Sequence, residues 1–183
     1  MSLSNYRSAF RLIKADLERY LFLHKMGGAS SQKALIMTLL FERGFKFTFW
    51  WRLAGVKSIL KPLVWFCYRH YSSKYGIQIN TSTRIGGGLY IGHGMGVVIN
   101  PTAIIGKKFT ISQFCSIGSN KGKAAVIGDN VYVAPNVCIV ENVHIGNNSS
   151  VGAGSVVIHN IPQNVVVAGC PAKIIKSNEI CNG

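Results

Sequence analysis

The chain has 183 residues, 48% of them hydrophobic, enough for one compact core or for a helical segment joined to a repeat unit, and not for more than two modest units. Lysine and arginine total 20 against 6 aspartate and glutamate, a formal net charge of +14, so the surface attracts anions such as anionic lipid, acidic glycan or a phosphate-rich cofactor. Nucleic acid also fits that charge, but no sequence-reading nucleic-acid motif is present and it is not expected as a partner.

The first seven residues, MSLSNYR, hold no basic segment followed by a long apolar one, so no secretory signal is expected. From Tyr6 to about Tyr75 apolar residues recur at helical spacing, as in Phe10, Ile13, Leu17, Tyr20 and Leu21. Three helices are predicted. Gly27-Gly28 ends the first, Ser30-Ser31 caps a second running to about Gly55, and Lys57 or Ser58 opens a third with Pro62 near its start. Lys46, Arg52, Lys57, Lys61 and Arg69 interrupt the apolar stretch before ~18 clean residues accumulate, so a spanning helix is not expected. Phe45, Phe47, Phe49, Trp50, Trp51, Trp65, Phe66, Tyr68 and Tyr71 are interspersed with those charges. That mix suits peripheral contact with the inner face of the cytoplasmic membrane, and equally a core between helices or subunits. The five cysteines, Cys67, Cys115, Cys138, Cys170 and Cys181, form no Cys-x-x-Cys pair and are odd in number, as expected of a reduced cytoplasmic protein.

At Gly76 the pattern changes from a helical to a six-residue period. The aliphatic anchors are Ile79, Ile85, Ile91, then Ile99, Ile105, Ile111, Ile117, then Ile127, Val133, Ile139, Ile145, Val151, Val157. The steps from 91 to 99 and from 117 to 127 leave surpluses of two and four residues, which are loops. A glycine or other small residue often follows the anchor and is expected to let the chain turn. Four positions after it comes a second inward residue, as in Thr83, Ala103, Cys115, Val131, Val137, Val143, Ser149 and Ser155. Such a repeat cannot bury its apolar side alone, so its strands must wind into stacked triangular coils. At three hexads a turn, thirteen anchors make a little over four turns. The expected units are residues 1–75, helical; 76–175, a β-coil; and 176–183, a tail.

His93 is the third residue of the hexad opened by Ile91, beside the two-residue surplus, and so sits on a bulged, partly exposed turn. Histidine ordinarily titrates near neutrality, which suits a general base, although a plain surface histidine fits the same spacing. The hexad count stacks His93, Gln113, Pro135 and Ala153 in one column. Small residues there leave a groove for an extended arm, or simply pack the coil. Cys115 is interior by phase and no cysteine has a base beside it, so an acyl-cysteine route is not expected.

Residues 85–100 (IGGGLYIGHGMGVVIN), 151–157 (VGAGSVV) and 168–175 (AGCPAKII) carry a resemblance. The chain from Gly76 to Ile175 resembles the hexapeptide-repeat acyltransferases, especially the serine acetyltransferase branch and its relatives in bacterial capsule and exopolysaccharide clusters. The resemblance implies a left-handed parallel β-helix, acetyl-CoA as co-substrate, no metal, and His93 as the catalytic base. It places Pro135 and Ala153 along the pantetheine arm and Ala168, Pro171 and Lys173 in the C-terminal coenzyme region, with Lys176 near the nucleotide phosphates. It also implies a homotrimer or higher homo-oligomer, because the coenzyme groove forms between neighbouring β-helices. Serine acetyltransferases typically carry aspartate at the positions of Gly92 and Gln78, and a Gly-Gly-Asp-Arg-His segment where this chain has residues 119–125. On those departures a sugar hydroxyl in capsule or exopolysaccharide biosynthesis is the expected acceptor, with L-serine in cysteine biosynthesis as the alternative. A backbone carbonyl or a side chain such as Gln78 is expected to orient His93 in place of the missing carboxylate.

Overall fold

The computed structural model describes residues 3–24 and 31–178, so the expected helix stop at Gly27-Gly28 and Cys181 lie outside the described residues. Four helices come first: α1 (Leu3–Leu23), α2 (Ser31–Phe41), α3 (Arg43–Ala54) and α4 (Lys61–Tyr75). The expected second helix is therefore two. Glu42 takes an extended backbone, φ −91° and ψ 107°, yet its N–H donates to Thr38 O and its carbonyl accepts from Lys46 N–H, so one helix closes and the next opens with no loop. The break has a tertiary cause that no local signal announces. Gly44, in the first turn of α3, packs so tightly on the coil that a Cβ there would fall on the Ile91 carbonyl oxygen and the Tyr20 hydroxyl. α4 has proline in its first turn and ends at Gly76, whose left-handed φ of 64° lets its N–H cap Ser72 O.

The chain then winds as a parallel β-helix of about four turns with three faces. One face holds β1 (Gln78–Ile79), β4 (Val98–Ile99), β7 (Ser116–Ile117), β10 (Cys138–Ile139) and β13 (Val156–Val157). The second holds β2 (Arg84–Ile85), β5 (Ile104–Ile105), β8 (Val126–Ile127) and β11 (His144–Ile145). The third holds β3 (Tyr90–Ile91), β6 (Thr110–Ile111), β9 (Tyr132–Val133), β12 (Ser150–Val151) and β14 (Val165–Ala168), and is closed by β15 (Lys173–Ser177), which pairs antiparallel to β14. In β1 to β13 each strand's second residue is an inward anchor, and every anchor from Ile79 to Val157 is buried, as is the whole second stack from Thr83 to Ser155.

The small residues have a different task from the one their position suggests. Glycine after the anchor does not make the corner; a Cβ at Gly86 would lie 2.7 Å from the Gly106 carbonyl, so what it permits is the close stacking of one coil on the next. The corners turn two residues later, where Asn130, Asn136, Asn142 and Asn148 hold left-handed φ of 55–60°. Asparagine tolerates that region better than other side chains, and here Asn130 donates to Asn148 and Asn148 to Asn164, tying the corners of successive coils.

A buried ion pair fastens the helices to the coil. Arg52 in α3 donates through Nε to Asp16 Oδ2 at 3.0 Å and through a terminal nitrogen to Asp16 Oδ1 at 3.2 Å, and it also donates to the carbonyls of Ile85 and Gly86. Asp16 Oδ1 accepts in addition from the N–H groups of Gly88 and Leu89, both at 2.8 Å. Trp51 Nε1 donates to Asn80 O and Tyr68 Oη to Ile79 O. Much of the aromatic run is thus turned inward: Phe45, Phe47, Trp51 and Tyr68 are buried, and Phe49, Trp50 and Tyr71 are half-buried. What stays exposed is Ile59, Leu60, Leu63, Trp65 and Phe66 around the start of α4, beside exposed Lys57, Lys61 and Arg69. Among the described residues no helix is long and apolar enough to cross a membrane.

Candidate active site

His93 follows β3, where the two extra residues of the first coil are taken up. His93 and Gly94 both have left-handed φ, 59° and 55°, and Gly92 N–H still donates to Ile111 O, so the chain leaves the coil at His93. It rejoins at Met95, whose carbonyl accepts from Phe114 N–H, as Gln113 O accepts from Asn136 N–H and Pro135 O from Gly154 N–H. Met95, and not His93, is therefore in register with Gln113, Pro135 and Ala153. The catalytic candidate stands out from the head of that column, with an exposed ring.

The helices hold this bulge from behind. A Cβ on Gly94 would strike the Gly44 nitrogen and the Arg43 backbone, and Tyr20 Oη accepts from Ile91 N–H at 3.0 Å while donating to Ile91 O at 3.3 Å. Burial pushes the Tyr20 phenol well above its ordinary range, so it stays protonated and keeps both bonds. His93 shares a cavity of about 400 Å³ with Phe41, Glu42 and Arg43 from the α2–α3 junction and with Met95, Gln113 and Phe114 from the corner. Gln113 lines the same cavity, and its Oε1 is buried without a hydrogen-bond partner. Glu42 is the acid lining it, and it pairs with His24 at 3.7 Å.

The remaining expected residues lie along the same edge in descending coils. Pro135 and Ala153 occupy consecutive corners, Ala168 pairs beneath Gly152 at the end of β14, Lys173 lies across from Ala168 on β15, and Pro171 is exposed in the turn between them. The structure thus brings the coenzyme candidates onto one open edge that leads up to His93. Gln78 does not join them. It lies on the first face and lines a larger cavity of about 760 Å³ with Asn80, Asn100 and Arg69, which holds no general base and does not include His93. Among the described residues the His93 ring makes no hydrogen bond. Sequence reasoning missed Tyr20, Glu42 and Arg43. The one available signal was Glu42 as the lone acid between Glu18 and Asp129.

The loop at the four-residue surplus is held by a group the repeat pattern gave no reason to choose. Glu141 Oε2 accepts from the N–H groups of Asn120, Lys121 and Gly122 at 2.7–2.8 Å and from Ser119 Oγ at 3.1 Å. The Gly122, Asn120 and Lys121 donors pull its carboxyl down to about 2.

The family profile described as bacterial transferase hexapeptide (six repeats) matches residues 124–159. A crystal structure of Neisseria gonorrhoeae serine acetyltransferase in complex with serine superposes with a TM-score of 0.75 at 30% identity, covering 91% of this chain and 69% of that one. The chain belongs to the hexapeptide-repeat acyltransferases. Serine acetyltransferase of Staphylococcus epidermidis is 43% identical over 105 residues, 55% of this chain and 49% of that protein, so the chain spans about half the length of such curated relatives. The Brucella abortus serine acetyltransferase determined with coenzyme A gives a TM-score of 0.73 at 26% identity, over 91% of this chain and 67% of that one. These likenesses correct the sugar acceptor of capsule or exopolysaccharide biosynthesis expected from the sequence: the similar proteins are serine acetyltransferases. The expectation rested on two missing aspartates, but the cavity is not without acid, because the α2–α3 junction brings Glu42 into it.

Proposed function

We propose that the protein transfers the acetyl group of acetyl-CoA to the hydroxyl of L-serine, with His93 as general base. The observation that carries this reading is His93 itself, projected on a left-handed bulge into a cavity at the head of one coil edge, in a chain similar over nine-tenths of its length to an enzyme determined with serine. The imidazole takes the hydroxyl proton as the oxygen attacks the thioester carbonyl. The tetrahedral intermediate then collapses, the carbon–sulfur bond breaks, and the CoA thiolate recovers the proton, giving O-acetylserine and CoA.

The pantetheine arm runs along Pro135 and Ala153, and Ala168, Pro171 and Lys173 meet the nucleotide end. That edge is open in a single chain, with nothing within 4 Å of a Cβ built at Gly154, which supports completion of the groove by a neighbouring β-helix in a homotrimer or larger assembly. Glu42 faces the acceptor's ammonium group. Peripheral membrane contact in this reading uses the exposed Ile59, Leu60, Leu63, Trp65 and Phe66. Incubation with labelled acetyl-CoA and L-serine tests the reading: labelled O-acetylserine is expected, and release of CoA without it would refute serine as acceptor.

A further inference from the structure

A second cavity of about 500 Å³ adjoins the His93 cavity, and the two share Phe41, Arg43 and Met95 as lining. The second is lined further by Lys46, Lys74 and Tyr75, so three cations face it and no acid does. Among the described residues none of the three is in a salt bridge. Lys46 is held in place, its Nζ donating to Leu40 O at 3.1 Å and lying 5.9 Å from the Tyr71 ring centroid.

The position of Arg43 is the telling feature. Lys74 sits in the last turn of α4, where the helix dipole favours a cation, but Arg43 opens α3, where the dipole opposes one. Nothing in folding asks for a guanidinium at that end, beside two lysines. A bound anion does, because it relieves both the mutual repulsion and the dipole.

We propose that Arg43, with Lys46 and Lys74 behind it, is the carboxylate subsite of the acyl acceptor. This rests on serine as acceptor. Serine's hydroxyl oxygen and carboxylate carbon are ~3–4 Å apart through two carbons, and His93 and Arg43 line one cavity, so a single small acceptor there meets both. The fork of Arg43 matches a carboxylate with two parallel hydrogen bonds. The subsite therefore comes from a helix of the N-terminal region and not from the shortened loop at residues 119–125.

The test uses the full chain with L-serine and with L-serinamide, which keeps the hydroxyl and ammonium and lacks the carboxylate. The wild type is expected to prefer serine by about 10- to 100-fold in kcat/KM, the range of a charged hydrogen bond. Arg43→Met is expected to raise KM for serine by a similar factor, abolish the preference and leave KM for acetyl-CoA unchanged, with partial recovery in Arg43→Lys. An unchanged serine KM in Arg43→Met, or a retained preference, would overturn the subsite. A separate readout covers a wild type that acetylates neither compound. With ¹³C-methylated lysines, titration with inorganic phosphate is expected to shift the Lys46 and Lys74 signals saturably, and not in Arg43→Met. That result with no serine turnover would leave the anion subsite standing and discard serine; no saturable shift would overturn the subsite itself.

Discussion

Asp16→Ala removes one half of a pair whose side chains are 1% and 5% exposed, leaving the Arg52 guanidinium buried without its counter-charge and the N–H groups of Gly88 and Leu89 without an acceptor. Breaking such a buried pair from one side costs about 3–5 kcal/mol. In a chain of this length each kcal/mol lowers the melting temperature by about 2–4 °C, so a fall of ~6–20 °C is expected. Burial raises the Asp16 carboxyl, while Arg52 and the two N–H donors pull it down, so the charged form depends on those partners. Asp16→Ala with Arg52→Met is expected to recover only part of the loss, because the carbonyls of Ile85 and Gly86 lose their donor as well. Calorimetry gives the stability. Trp51 fluorescence reports undocking of α3, since its buried indole donates through Nε1 to Asn80 O on the coil. A single variant melting within ~2 °C of the wild type would refute the claim that this pair fastens the helices to the coil.

Gly44→Ala places a methyl group on the Ile91 carbonyl and the Tyr20 hydroxyl, an overpacking that costs about 1–3 kcal/mol and pushes the His93 turn outward; kcat should drop more than stability accounts for, and a variant with wild-type kcat would contradict the buttress. The Glu141 carboxyl is held at about 2 against an ordinary 4.5, so its contribution is complete above about 4.5 and is lost as pH falls toward 2. Protection of the Asn120, Lys121 and Gly122 amides relative to their intrinsic exchange rates should therefore hold at pH 5 and fall below ~4, with Glu141→Gln unprotected throughout; equal protection in both proteins would discard this role. In flotation assays Trp65→Ser with Phe66→Ser should weaken salt-sensitive binding to anionic vesicles, and equal wild-type binding to neutral and anionic vesicles, or to neither, would count against a membrane-facing α4.

The coil was legible because its physics repeats. Each anchor from Ile79 to Val157 has the same burial requirement, and thirteen in phase leave no competing fold. Helix boundaries were less so: the break at Glu42 comes from Gly44 meeting a carbonyl 47 positions later in the chain, a long-range constraint without local punctuation. The same limit governs the site. Counting hexads put His93, Gln113, Pro135 and Ala153 in one column, while the base and coenzyme roles came only from the family resemblance; the bulge moved His93 off that column and put Met95 there. Glu42, Arg43 and Tyr20 come from helices whose docking no period encodes. The aromatic run shows the converse, since residues that read equally as membrane-facing or as core divided by helix face, with Phe47 and Trp51 inside and Phe66 outside.

The most direct test of His93 as the base is single-turnover acetyl transfer by His93→Ala and His93→Asn at saturating acetyl-CoA and acceptor. A loss of about 10²–10⁴-fold in the chemical step, with acetyl-CoA affinity and melting temperature unchanged, is the predicted result. Either variant turning over within a few-fold of the wild type would contradict it.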